Sequence, residues 1–147
     1  METYPQKYLK PLKVLAFDFG TKRIGVAVGQ SLTGTAQALS VLPAIDGIPD
    51  WIQLEKLVTE WKPDAFVVGL PWNMDDSKSE LLIRARKFGN RLEGRLHKPC
   101  YGIDERLTSF VARGELLRGE SSGAVDSLAA RLILEAWFAG LPTLTPS

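Results

Sequence analysis

Hydrophobic positions along the chain follow two rhythms, and their order predicts the fold class. Val14–Phe19 is apolar on both faces except at Asp18, the pattern of a buried central strand. Gly20-Thr21-Lys22 makes a short turn into a second strand, Arg23–Gly29, rich in Ile and Val, and Thr35–Leu42 adds a third. Links this short predict an antiparallel meander, because a parallel crossover takes about a dozen residues or more. Asp50 is placed to cap a helix over Trp51–Trp61, whose positions Trp51, Leu54, Leu57, Val58 and Trp61 keep helical spacing until Lys62-Pro63 ends it.

The second half alternates strand and helix. Ala65–Gly69 reads as a short buried strand, followed by the loop Leu70–Asp76 and a long helix over Ser77–Leu96. Leu81, Ala85, Phe88, Leu92 and Leu96 form the expected packing stripe of that helix. Pro99–Ile103 reads as the last strand, and helices over Ser109–Arg118 and Ala124–Ala139 complete the chain. The order βββαβαβαα predicts an α/β domain over residues 13–140. Its mixed five-stranded sheet joins a three-stranded antiparallel meander to two parallel strands, with helices on both faces. Residues 1–12 and 141–147 are expected as flexible ends.

Composition narrows the function classes. The chain has 147 residues, 45% hydrophobic and 24% charged, enough for one well-buried core. A net charge of +1 means that any affinity for nucleic acid must come from a local patch. One cysteine, Cys100, excludes an internal disulfide, and one histidine, His97, excludes a His-rich zinc cage. The opening residues lack the apolar core of a secretory signal, and no apolar run is long enough to span a bilayer. Cytoplasmic residence and no membrane partner are therefore expected.

Three acids stand where charge is hardest to accommodate. Asp18 interrupts the most apolar strand, Glu105 follows the last strand, and Asp126 lies at the start of the last helix. On that helix Asp126 shares a face with Ala129, Ala130, Ile133 and Trp137. Buried carboxylates are expensive unless a cation or dense hydrogen bonding compensates them. If folding gathers the three at one sheet edge, a divalent metal site is the simplest explanation. Each also has an ordinary reading: Asp18 as a turn cap, Asp126 as an acid at a helix N-terminus, Glu105 as part of a solvated loop with Asp104 as its rival ligand. Thr108 or Ser109 is read as a helix cap.

Cationic and polar side chains suggest how phosphates would be held. Thr21, Lys22 and Arg23 follow Asp18 directly, and Arg106 follows Glu105. Arg84, Lys87, Arg91 and Arg95 recur at helical spacing opposite the apolar stripe, with Arg86 nearby. They form either a solvated face or a phosphate track. Asn73 and Trp72 in the preceding loop are placed to orient or stack on a nucleotide.

Four segments together carry a resemblance. Asp18-Phe19-Gly20-Thr21-Lys22-Arg23-Ile24-Gly25-Val26-Ala27 closely resembles the opening motif of the YqgF/RuvX family. So do Gly69-Leu70-Pro71-Trp72-Asn73-Met74-Asp75, Asp104-Glu105-Arg106-Leu107-Thr108-Ser109 and Val125-Asp126-Ser127-Leu128-Ala129-Ala130, in that order. The resemblance covers Val14 to Phe138 and implies a ribonuclease H-like fold related to Holliday-junction resolvases. It further implies a cytoplasmic, metal-dependent nuclease acting in 5′-end maturation of pre-16S ribosomal RNA, with the family's acidic positions at Asp18, Glu105 and Asp126. One departure stands out: the segment before the last motif, Arg118–Ala124, is short, and Ala124 occupies the position of an expected lysine.

The expected chemistry is phosphodiester hydrolysis with two Mg²⁺ or Mn²⁺ ions held by these three acids. The substrate is ribosomal precursor RNA or structured DNA, and the protein is a monomer or a homodimer. The alternatives are a Holliday-junction resolvase, or a nucleic-acid-binding factor of the ribosome or transcription machinery that cleaves little. Asp18-Phe19-Gly20-Thr21 is also similar to the first phosphate loop of actin-like ATPases, but those need two such domains, which 147 residues do not supply.

Overall fold

The computed structural model describes residues 1–73, 75, 77–107 and 122–142, the side chains of 107 and 122–126 excepted. The expected helix over Ser109–Arg118, its Thr108 or Ser109 cap, and the end of the C-terminal tail lie outside these residues. Strands β1 (Lys13–Asp18), β2 (Arg23–Gln30) and β3 (Thr35–Ile45) form the antiparallel meander. Helix α1 (Trp51–Trp61) leads to β5 (Ala65–Leu70), and α2 (Glu80–Leu96) to β6 (Cys100–Asp104); β5 joins parallel to β1, and β6 to β5. Helix α3 (Ser122–Gly140) closes the described chain.

The expected architecture is present with one addition. A two-residue strand, β4 (Ile48–Pro49), pairs with the end of β3, so the sheet has six strands in the order β4-β3-β2-β1-β5-β6. Two residues carry no periodicity. The turn that makes them a strand is nevertheless legible, because Asp46-Gly47 takes positive φ at both positions (51° and 79°), as a tight hairpin requires. β3 also runs past Pro43 to Ile45, with Pro43 opposite Arg23, and it carries a bulge where Ser40 and Val41 stand against the single residue Gly25 of β2.

Local chemistry explains where the helices begin and end. Asp50 accepts from the Ile52 and Gln53 amides at 3.0 and 3.4 Å, and left-handed Lys62 closes α1 by donating to the Val58 carbonyl at 2.8 Å. α2 starts later than the sequence pattern suggests. Asp75 accepts both the amide and the hydroxyl of Ser77, holding that residue in the loop, and Ser79 becomes the cap through the Leu82 amide at 2.9 Å. The buried stripe is accordingly Leu82, Ala85, Phe88, Gly89 and Leu92, while Leu81 is 38% exposed.

Strand alternation divides the core in two. Leu15, Phe17, Ile24, Val26, Phe66 and Val68 face α1 and α2. Val14, Ala16, Ala65, Val67 and Ile103 face Ile133, Leu134, Trp137 and Phe138 of α3. Among the described residues no helix is long and apolar enough to cross a membrane. The leading residues lie against β6 and α3: the Gly102 amide donates to the Glu2 carbonyl at 2.9 Å, and Trp137 Nε1 donates to the Thr3 carbonyl at 2.6 Å. The Tyr4 ring packs on Trp137 with centroids 5.5 Å apart.

Trp137 is fully buried and joins the leading segment to the α3 face. Trp137→Ala should therefore lower stability by about 3–5 kcal/mol in urea unfolding. A loss below about 1 kcal/mol would mean that this seam is loosely packed.

Candidate active site

Asp18 ends β1 in the alternation Val14, Ala16, Asp18, which puts it on the α3 side of the sheet. It is registered against Gly25 of β2. On its other side, Phe17 pairs with Val68, so Gly69 is the neighbouring position of β5. Gly69 in turn pairs with Ile103 of β6. The alternation Tyr101, Ile103, Glu105 then brings Glu105, first residue of a 3-10 turn over Glu105–Leu107, to that same side.

The two acids meet. The side chains of Glu105 and Asp18 are hydrogen-bonded to each other, although they lie on separate strands. Burial pushes the Glu105 carboxyl above its ordinary range, the Asp18 hydrogen bond pulls it down, and the charge of Asp104 adds a smaller upward push. Two carboxyls in contact share a proton far more readily than they both ionise. A hard cation would replace that proton, and an all-oxygen donor pair suits Mg²⁺ or Mn²⁺.

Gly69 makes room for this arrangement. A Cβ at Gly69 would stand 2.6 Å from Glu105 Oε1, 2.9 Å from Glu105 Cγ and 2.7 Å from Ile133 Cδ1. The missing side chain is thus the space in which Glu105 lies, between β5 and α3. Gly69 is not among the residues that the sequence marks for the site. The available signal was a glycine inside a strand of large apolar residues, which marks close approach by another group.

Asp104, the rival acid, has the opposite fate. Its oxygens accept from Arg106 Nε at 3.0 Å, from Nη2 at 2.6 Å and from the Arg106 amide at 2.9 Å. This arginine holds the Asp104 carboxyl below the usual carboxylate range. Arg106 Nη1 also donates to the Asn73 carbonyl at 3.0 Å, latching the β5–α2 loop to the end of β6. Asn73 Nδ2 donates to the Ser77 hydroxyl at 2.9 Å. Asn73 and Arg106 thus tie the loop to the end of β6, close in sequence to Glu105.

The other candidates are distributed as follows. Lys22, in the turn after Asp18, and Arg23, at the start of β2, are exposed, and the turn carbonyls of Thr21 and Lys22 accept from the Gly47 and Ala44 amides at 2.8 and 2.9 Å. Arg84 pairs with Asp46 at 2.9 Å, Arg95 lies over the Trp51 ring at 4.4 Å, and Arg86 lies over Trp72 at 5.2 Å. Cys100 is buried, and burial with the nearby Glu93 charge pushes its thiol up to about 12, unsuited to nucleophilic work.

Asp126 falls in the second turn of α3, four residues before buried Ala130 and seven before Ile133, the residue that reaches Gly69. Farther along the helix, Phe138 is close to Gly29 at the far end of β2, so α3 begins toward the end of the sheet that carries Asp18. The Asp126 side chain lies outside the described residues, as does that of Ala124. Among the described residues no third His, Cys, Asp or Glu joins Asp18 and Glu105 in a metal-holding group.

Two outcomes follow from this geometry. Gly69→Ala should cost about 1–3 kcal/mol in urea unfolding, with part regained in Gly69→Ala/Ile133→Val; an unchanged midpoint would refute the crowding. Glu105 has a raised folded pKa, so its ionisation opposes folding as pH rises above its ordinary value of 4.5. In EDTA, Glu105→Gln should therefore melt higher than the parent at pH 7, with the gap closing below about pH 4.5. A gap that widened in acid would reverse the sign.

Comparison with known proteins places the chain in a family. A family model described as "RuvX: Holliday junction resolvase" matches residues 12–140. A relative from Marinobacter nauticus, named "Putative pre-16S rRNA nuclease", is 56% identical over 130 residues, covering 85% of this chain and 91% of its own. One of the same name from Pseudomonas aeruginosa is 55% identical over 139 residues, covering 90% and 96%. Among solved structures, RuvC from Thermus thermophilus in complex with a Holliday junction substrate aligns with a TM-score of 0.53 at 17% identity, over 86% of this chain and 94% of that one. That likeness identifies the fold as ribonuclease H-like. With a family match over nearly its whole length, the chain belongs to the RuvX family.

Proposed function

We propose that this protein is a metal-dependent nuclease that hydrolyses phosphodiester bonds, acting in the cytoplasm on the 5′ end of pre-16S rRNA. The observation that carries the reading is the contact between Asp18 and Glu105 in the space left by Gly69. The names of the relatives supply the substrate class.

Asp18, Glu105 and Asp126 are the oxygen donors for Mg²⁺ or Mn²⁺ in this reading, with two ions as the expected number. Bound there, such ions would lower the pKa of a water and neutralise charge on the reacting phosphate. The chain's own contribution is positional. β1 and β6 deliver two carboxylates on one side of the sheet, and Gly69 lets Glu105 lie flat against β5. Ile133 and the buried strands behind the pair keep bulk water from that side. Lys22, exposed in the turn past Asp18, and Arg23, exposed at the start of β2, would hold the phosphates flanking the scissile bond in this reading. Arg106, engaged with Asp104 and the Asn73 carbonyl, ties the loop to the end of β6.

A resolvase reading draws on the family model's description. It requires symmetric incision, hence a homodimer, whereas rRNA trimming can be done by a monomer. Wild type and Asp18→Asn should be assayed side by side on a 16S precursor and a four-way junction, in Mg²⁺, Mn²⁺ and EDTA. The expected result is precursor cleavage only with metal, reduced roughly 10³-fold or more in Asp18→Asn. Junction cleavage without precursor cleavage would replace the proposal with the resolvase. Binding of either substrate with no cleavage in any metal would leave a binding factor of the ribosome or transcription machinery.

A further inference from the structure

The cations that the sequence places in one stripe on α2 do not act together. Arg95 is drawn to α1, where it covers the Trp51 ring and lies 3.8 Å from Glu55. Arg84, Lys87 and Arg91, at i, i+3 and i+7, instead line a cleft of about 230 Å³. Its opposite wall is the β3–β4 hairpin at Asp46, Gly47 and Ile48, and its floor is Phe19 and Phe88, whose ring centroids are 5.4 Å apart.

Three features make this cleft a built one. The hairpin wall is pinned to the turn after Asp18 by the Gly47 amide donating to the Thr21 carbonyl at 2.8 Å. Gly47 has φ +79°, and a Cβ there would stand 2.8 Å from the Phe19 ring and 3.1 Å from Arg84 Nη2, so the hairpin can approach only as glycine. Asp46 neutralises Arg84, whereas among the described residues no carboxylate is paired with Lys87 or Arg91. The cleft therefore carries about two uncompensated positive charges above an apolar floor.

Its position gives it a ligand. Phe19 directly follows Asp18, so the cleft floor and the catalytic acid are about 3.8 Å apart along the backbone. Strand alternation turns the two side chains to opposite sides of the sheet end. A nucleic-acid strand lying on Asp18 and Glu105 that continues over the end of β1 meets this cleft. We propose that the cleft is a subsite for one backbone phosphate of the substrate strand, flanking the scissile one, with Lys87 and Arg91 on the phosphate and the sugar edge against the apolar floor. The assignment of that phosphate as flanking rests on the nuclease reading; the binding itself does not.

The test is binding of a labelled single-stranded RNA oligomer to the full chain in EDTA, over a range of salt. Lys87→Gln/Arg91→Gln should bind roughly tenfold more weakly, with a log–log salt slope shallower by about 0.7, the value for one lost phosphate contact on a single strand. Lys7→Gln/Lys56→Gln, which removes the same charge from exposed positions elsewhere, should bind within about twofold of the parent. Equal losses in both doubles would overturn the subsite in favour of a diffuse field, and so would no loss in either. A melting shift with inorganic phosphate, lost in the cleft double while RNA affinity stays unchanged, would also overturn it, since the site would then take a free anion. Metal-dependent cleavage lost in Asp18→Asn but intact in a cleft double that binds normally would defeat the subsite alone. Absence of cleavage with the binding difference intact would defeat the nuclease reading alone.

Discussion

Contact between two acids at the end of a sheet is the constraint around which this molecule is arranged. A pair of carboxyls held together and partly withdrawn from water opposes folding unless a proton or a cation lies between them. The surrounding structure supplies the force that keeps them there. Asp18 is fixed by a strand with β2 on one side and β5 on the other, in the middle of the sheet. Glu105 is fixed by the void at Gly69 and the Ile133 side chain above it. Packing energy elsewhere thus holds together two acids that by themselves oppose the fold.

Neighbouring residues show how sharply the backbone sorts chemistry here. Asp104 and Glu105 are both acids at the end of β6, yet one is neutralised by a forked arginine and the other meets Asp18. The period-two alternation of a strand turns consecutive side chains to opposite faces, and that alone separates a structural ion pair from a candidate metal ligand. The same rule separates Asp18 from Phe19. One joins the acids on the α3 side, and the other floors a basic cleft on the α2 side. The last residue of β1 and the one after it therefore serve opposite sides of the sheet.

Small residues recur where elements must come close. Gly69 admits Glu105, and Gly47 admits the hairpin against Phe19 and Arg84. In both cases the glycine acts by the volume it leaves empty, and its neighbour is a side chain from a distant part of the chain. Loops are held in the same long-range way: Arg106 reaches back to the Asn73 carbonyl, and Arg84 to Asp46. The end of the sheet is consequently a set of linked loops, each tied to an element beside the acids.

Much of this was legible in the chain alone. Strand and helix rhythm, the Asp50 cap and the short links between the first three strands are local consequences of side-chain shape and spacing, so they predicted the mixed sheet and its two helical layers. The anomalous acid in β1 was visible because one charge in an apolar run violates a local rule. The family resemblance pointed to Glu105 over Asp104, but other features depended on how the elements pack: that Gly69 is the space in which Glu105 lies, and that the basic stripe divides between Trp51 and a separate cleft. Periodicity reports which side of its own element a residue faces. Which distant residue waits on that side is set by how the strands and helices pack, and only the folded chain decides it.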